Sequence, residues 1–293
     1  MRDPDTIISV CARISRSKKP IKDILMEMNP EYEEKLLESL FTMGHLSVFE
    51  HGRFLVRKEF SDRYIRMFAK YRYLDWHEES KEIIISGNMR TAIEMAADPD
   101  YRDVALEFLS ISRFLSRKFG VEYRGVREPM FLKSYSSPLG IKLSVIDFLK
   151  SPGDLSSMTF IAEGISRVTS HQLVRHRSMS FTQQSQRFVD VSNLDFIKPP
   201  FVEGKAAELY FEMIDRSLSA YRKLVEMGIN KEDARYIIPQ AISTRIAVTA
   251  TVSSLKNFFK LRLDKSAQWE IRELASLVLK AAEELSLMQH TSK

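Results

Sequence analysis

The sequence predicts an α/β (α+β) protein, a mixed sheet flanked by helices, and three observations lead there. Short runs rich in β-branched and aromatic residues, GRFLV from 52, SMTFIAE from 157 and STRIAVTATV from 243, read as strands. Between them lie longer stretches whose apolar residues recur every three or four positions, the period of helices packed on a sheet. From 57 to 156 helical periods and turn residues dominate, so that segment is expected to be mostly helical. The 293 residues suffice for one large core or two modest ones, and 44% hydrophobic with 28% charged residues is ordinary for a globular chain. A net charge of +5 suits anionic ligands but is too mild to require nucleic acid. Cys11 is the one cysteine, which excludes an intrachain disulfide and a cysteine metal cluster. The start, MRDPDTIISV, lacks a signal pattern, and no apolar run nears the ~18 residues of a membrane span, so a cytoplasmic protein is expected.

In chain order, IISVCARIS (7–15) is an apolar opening followed by a basic loop, SRSKKP. A helix is predicted over 30–43, with Leu36, Leu37, Leu40 and Phe41 on its buried side and Gly44 as its stop, then a strand through 56. His45, Glu50 and His51 are three metal-ligand types with no fourth nearby, so no metal is expected. Phe60, Tyr64, Met67, Phe68 and Tyr71 recur at helical spacing among basic residues, the pattern of an amphipathic helix with a charged outer face. KEIIISGNMRTAIEMAADP (81–99) reads as strand, turn and a helix starting near Asn88, with another helix over 101–118 and a turn-rich stretch over 120–140. After the strand at 157, a helix is predicted over 164–176 and an extended run from 178. Further helices follow at 205–227, from Asn230 to Pro239, and from a serine cap at 253. The last carries Ile271, Leu274, Val278, Ala281 and Leu285 as an apolar seam.

The chemistry concentrates in HQLVRHRSMSFTQQSQR (171–187). Four amides (Gln172, Gln183, Gln184, Gln186), two histidines (His171, His176) and three arginines (Arg175, Arg177, Arg187) share seventeen positions, and no acid falls between Glu163 and Asp190. Uncompensated guanidinium groups beside neutral donors and acceptors suit a phosphate-bearing ligand, because the planar fork matches phosphate oxygens in pairs. A helix would put Gln172 and Arg175 on one face, whereas Arg175, His176 and Arg177 converge on one pocket only where that helix ends. Alternation from 178 onward would set Gln183, Ser185 and Arg187 on one face and Gln184, Gln186 and Phe188 on the other. A solvated basic surface explains the arginines but not the amides.

RHRSMSFTQQS, an Arg-His-Arg followed after seven residues by Ser, resembles the signature of the flavin-dependent thymidylate synthases, the ThyX family. Two further blocks resemble the family, GHLSVFEH (44–51) and DARYIIPQAISTRIAV with LKNFFKLRLDKSAQWEIRELA (233–275). The resemblance implies a ThyX-like catalytic domain from 1–56 and 157–293. It implies FAD as cofactor and NADPH and 5,10-methylenetetrahydrofolate as co-substrates in methylating dUMP to dTMP, in a homotetramer with active sites between subunits and no nucleic-acid or membrane partner. By the same resemblance Gln172, Arg175, Gln183, Gln184, Ser185, Gln186, Arg187 and Arg235 hold the nucleotide. Arg262 is the catalytic residue that favours ionisation of the uracil imide. Arg175, His176, Arg177, Gln183, Asn257, Ser157 and Ser15 contact FAD. A related flavin-dependent pyrimidine methyl- or hydroxymethyltransferase is the alternative enzyme, and a nucleic-acid-binding protein using the basic helix is the alternative of another class.

The sequence departs from the family in two places. Residues 57–156 intervene where members run almost directly into the motif, and Thr251-Val252-Ser253 stands where they have Asn-x-Arg against the flavin. The intervening segment holds Asn88-Met89-Arg90 in the same strand–turn–helix layout. It is therefore expected to be a degenerate repeat of the core unit, with Asn88 and Arg90 supplying the missing FAD contacts. The start of the chain leaves no leading strand to complete the sheet edge.

Overall fold

The computed structural model describes residues 3–190 and 194–288. The apolar opening forms helix α1 (Asp5–Ile14), which is buried nearly all round, and α2 (Ile21–Glu27) and α3 (Pro30–Thr42) follow. The Asn29 side chain caps α3 by accepting from the Tyr32 N–H, and Pro30 sits at its first position, where a missing N–H costs nothing. The strand expected from 45 begins later. Residues 46–51 coil into a 3-10 turn after Gly44, whose φ of 71° favours glycine, and β1 spans Arg53–Glu59.

The segment 57–156 is not mostly helical. It holds α4 (Asp62–Lys70), α5 (Met89–Met95), α6 (Arg102–Leu109) and α7 (Arg113–Phe119). It also holds strands β2 (Asp75–Glu79), β3 (Glu82–Asn88), β4 (Lys133–Ser136) and β5 (Lys142–Leu149). Strand β5 escapes a sequence reading because it follows the turn-rich stretch, yet KLSVIDFL centres on β-branched Val145 and Ile146 and is buried along most of its length. It pairs with β6 (Ser157–Ser166) and, with β4, completes the sheet edge for which the sequence offered no strand. The rest of the chain forms α8 (Arg167–Leu173), β7 (Ser180–Gln183), α9 (Lys205–Glu226), α10 (Lys231–Ala234), β8 (Ser243–Thr251), α11 (Val252–Arg262) and α12 (Trp269–Glu284). Helix α11 starts from a Thr251 cap, two residues before the expected serine.

The α/β class stands, with two sheets, each antiparallel throughout rather than mixed. The smaller has the order β1-β3-β2 and the larger β4-β5-β6-β8-β7. One face of the larger sheet packs Phe160, Val248 and Ile246 under α11 and α12, and the other packs Ile146, Ile161 and Ala247 under α1 and α2. The smaller sheet shares a third core with α3 and α5 to α7, in which Phe54 stacks on Phe108 at 4.3 Å. A bulge lets β6 keep register with β8 on both sides of Gly164. There φ is 71°, and a Cβ would lie 2.7 Å from the Gly140 carbonyl oxygen, so only glycine fits.

Buried polar groups join the parts. His51, fully buried, bonds Thr249 through Nδ1 (2.8 Å) and Thr182 through Nε2 (2.9 Å), tying the turn before β1 to β7 and β8. Burial holds its pKa down to about 3, so the ring is neutral. The carboxylate of Glu33, also fully buried, accepts two bonds from Arg127 (2.8 and 2.9 Å) and one from the Thr6 hydroxyl (2.8 Å). Asp5 accepts from the Ser112 hydroxyl and the Phe114 N–H. Burial, then Asp3, raises its pKa to about 7.

Candidate active site

Strand β6 delivers the motif and α8 turns it. Ser166 caps α8 by accepting from the Thr169 N–H (3.1 Å). The buried carboxylate of Glu270 in turn accepts from the Ser166 N–H (2.5 Å) and hydroxyl (2.6 Å), so α12 fixes where α8 begins. The helix lasts only to Leu173, and Arg175, His176 and Arg177 fall in the turn beyond it. Arg175 and Arg177 are exposed while His176 is buried against the edge of Phe258. Arg262 donates from Nε to His176 Nε2 (3.0 Å) and from Nη2 to the Gln172 carbonyl (3.3 Å). Burial, then the charge of Arg262, holds the His176 pKa down to about 4. The imidazole is therefore neutral near pH 7, and accepting at Nε2 puts its proton on Nδ1. Gln172, His176 and Arg262 form one group.

A second group begins where β7 ends. Gln183 donates to the hydroxyls of Ser170 (2.9 Å) and Thr244 (3.2 Å). Buried Gln184 donates to the Ser17 carbonyl (3.0 Å), and the Ser185 N–H donates to the Ser15 carbonyl (2.8 Å). The expected alternation stops at Gln183, because 186–189 bend instead of continuing the strand. Ser15, Arg16, His45, Gln183, Ser185 and Phe188 all border a cavity of about 460 Å³. Beside it Arg187 pairs with Glu232 (2.6 Å), and Arg235 donates to the Glu232 carbonyl (3.0 Å). Arg167, which sequence reasoning passed over, donates to Gln186 (3.2 Å). Burial and then the nearby charge of Arg235 lower its pKa. The signal for Arg167 was present, since it too lies in the acid-free stretch.

The third group lines a cavity of about 210 Å³ between the two sheets, with Arg53, Arg72 and Asn88 on one side and Arg177, Ser253 and Asn257 on the other. Asn88 caps α5, its Oδ1 accepting from the Thr91 N–H (2.9 Å). Arg90 pairs with Glu50 (2.7 Å) and Glu94 (2.9 Å). Ser157 lies outside the lining, paired in the sheet with Thr251, which is part of it. Arg53 donates to the Ser86 hydroxyl (2.7 Å), while its Nε is a buried N–H without a partner. Burial pulls the Arg53 pKa down to about 10. A charge inside the apolar run GRFLV was the available hint to Arg53. By contrast, α4 is no open basic stripe, because Arg63 pairs with Asp103 (2.5 Å) and Lys70 with Asp98 (2.6 Å).

The family model described as "Thymidylate synthase complementing protein" matches residues 1–85 and 142–286. The chain belongs to this family. Among curated relatives, the flavin-dependent thymidylate synthase of Pyrococcus furiosus is 46% identical over 127 residues, covering 41% of this chain and 52% of that one. That of Sulfurisphaera tokodaii is 47% identical over 122 residues, covering 41% and 48%. That of Clostridium tetani is 38% identical over 148 residues, covering 44% and 59%. The chain thus spans about half the length of the relatives it matches. The stretch unmatched by the family model, 86–141, includes Asn88 and Arg90. No described helix is long and apolar enough to cross a membrane.

Proposed function

We propose that the protein catalyses the flavin-dependent reductive methylation of dUMP to dTMP, with FAD as cofactor and NADPH and 5,10-methylenetetrahydrofolate as co-substrates, in the cytoplasm. The observation that carries the reading is the Arg262–His176 pair in a member of this family. A neutral imidazole that accepts from Nε fixes the guanidinium without repelling it and leaves Nη1 for a ligand. Set against the uracil imide, this charge lowers the pKa of the ring nitrogen and stabilises enolate-like charge as the pyrimidine is reduced. Bound FAD, once reduced, supplies the hydride.

Arg187, Arg235 and Arg167 offer guanidinium groups for a nucleotide phosphate, with Gln172, Arg175, Gln183, Gln184, Ser185 and Gln186 around the base and sugar. Ser185 binds and does not attack. Its hydroxyl accepts from the Arg187 N–H (3.2 Å), and among the described residues no base holds it. Among the described residues, the hydrogen bonds of the Arg262 group and those of the Arg187 group do not connect within the chain. A homotetramer with active sites shared between subunits accounts for that separation. FAD fits the donors around the smaller cavity, where an orphaned Arg53 N–H, Arg177 and the amides of Asn257 and Asn88 meet. Arg175, His176, Gln183, Ser157 and Ser15 complete the assignment, and Asn88 with Arg90 replaces the Asn-x-Arg missing at 251–253.

Purified protein should be yellow, its flavin band should shift on adding dUMP, and deuteride from reduced flavin should appear in the pyrimidine product. A colourless preparation that makes no thymidylate refutes the reading. Asn88→Thr isolates the cofactor role, since threonine already caps the matching helix at Thr251. Stability should stay within about 0.5 kcal/mol while FAD binds more weakly. Unchanged FAD affinity would remove Asn88 from the site.

A further inference from the structure

The smaller sheet repeats three strands of the larger. Strands β1-β3-β2 and β6-β8-β7 stand in the same order. Arg53 pairs with Asn88 at one end of the first, and Ser157 with Thr251 at the same end of the second; in both, the later residue caps the next helix. The same backbone bond closes both corners, from the Met89 N–H to the Gly52 carbonyl (2.8 Å) and from the Val252 N–H to the Ser156 carbonyl (2.7 Å). Ser61 caps α4 as Ser166 caps α8, while Asp75 pairs with Ser86 as Ser180 pairs with Thr249. With these anchors, 61–80 corresponds to 166–185 without a gap. The packing is reciprocal as well: the turn before β1 meets β7 through His51 and Thr182, and the turn before β6 meets β2, where Gly153 lies against His77, the counterpart of Thr182. Reciprocal contact between equivalent surfaces is the mark of a two-fold relation.

The correspondence sorts the chemistry. Lys70-Tyr71-Arg72 stands where the second copy has Arg175-His176-Arg177, and Glu78-Glu79 where it has Gln183-Gln184. Both Lys70 and Tyr71 are bound to Asp98. Carboxylates in place of amides repel an anionic nucleotide, so the first copy has no such site. Conversely, the first copy keeps Asn88-Met89-Arg90 and the second has Thr251-Val252-Ser253. The smaller cavity is lined by matched residues of the two copies, Arg72 with Arg177, Asp75 with Ser180 and Asn88 with Thr251, and so lies on the pseudo-two-fold axis.

We propose that one chain is an internal pseudo-dimer whose two copies build a single composite flavin-dinucleotide site, with Arg53 and Arg72 of the first copy facing Arg177 and Asn257 of the second around the anionic diphosphate. This rests on the flavin reading above and adds its stoichiometry and two arginines. A cavity of about 210 Å³ holds a diphosphate-sized part of the ligand, and the rest extends through its mouth. Arg53 supplies the buried N–H that lacks a partner, and Arg72 is an exposed guanidinium, replaceable without opening a core. Glu50 and Asp75 also line the cavity and are already engaged, Glu50 by Arg90 and Asp75 by Arg53 at 3.9 Å.

The test titrates flavin-stripped full-length protein with FAD, and separately follows the thermal melting shift given by inorganic pyrophosphate. One FAD should bind per chain. Arg72→Ala should raise its Kd at least tenfold and abolish the pyrophosphate shift, whereas Arg66→Ala, exposed on the preceding helix α4, should match wild type in both. Two FAD per chain, or an Arg72→Ala Kd within threefold of wild type, overturns the proposal. A wild-type chain that takes no FAD, yet whose pyrophosphate shift needs Arg72, overturns the flavin reading and leaves only the anion site. The absence of both responses overturns both.

Discussion

His51 gives a prediction whose size and sign both follow from its surroundings. The unfolded chain takes up a proton on this ring near pH 6.5, while the folded protein resists until about pH 3, because burial penalises the cation. Between those values the unfolded state binds more protons, so the stabilising effect of neutral His51 is complete above pH 6.5 and is lost as pH falls, at about 1.4 kcal/mol per unit. Asp5 acts in the opposite sense. Its folded pKa is raised from 3.8 to about 7, so it costs stability as pH rises through that range, and the wild-type profile alone does not isolate His51. Comparison with His51→Gln separates the two. At pH 7.5 the variant should be less stable by about 1–3 kcal/mol, through the loss of paired buried bonds to Thr249 and Thr182. Urea unfolding at pH 7.5, 6.0 and 4.5 should show that deficit shrinking, by about 2.7 kcal/mol at the lowest pH. A deficit constant across the three would refute a neutral buried His51.

Arg262→Ala should lower turnover by about 10²–10³-fold and, by removing a neighbouring charge, let the His176 pKa rise, which histidine NMR titration reads directly. A His176 titration unmoved by the substitution would dissolve the pair. Ser185→Ala should lose nucleotide affinity yet keep measurable turnover, and complete inactivity in a folded variant would restore Ser185 as nucleophile. Arg127→Ala should destabilise the protein by about 2–3 kcal/mol, since among the described residues Glu33 then keeps only Thr6 and, at 3.5 Å, Arg113. A change below about 0.5 kcal/mol in urea would mean that Glu33 is not held as a buried anion.

Much of the architecture was legible because its elements carry an undisguised period. The helices α3, α9 and α12 show apolar residues every three or four positions, and β6 and β8 are runs rich in β-branched residues between turns. Helix α1 was not legible as helix, since the run is short and its polar residues Asp5, Thr6 and Ser9 are themselves buried, so no exposed face marks its period. Strand β5 was hidden by the glycines and prolines before it, and 46–51 looked extended because its residue types favour strands while the buried bonds of His51 decide otherwise. The motif at 171–187 stood out by composition alone, and Asn88 by its spacing from Arg90. Arg53 and Arg72 did not stand out. Their place depends on β8 and α11 arriving beside them from distant parts of the chain, and no local pattern encodes that meeting.

Because both walls of the smaller cavity belong to one polypeptide, dilution cannot part them. Their local concentration is set by covalent linkage, on the order of millimolar or above, whatever the amount of protein present. Grip on the dinucleotide should therefore persist at nanomolar enzyme, whereas any step that needs a second chain fades as assemblies dissociate.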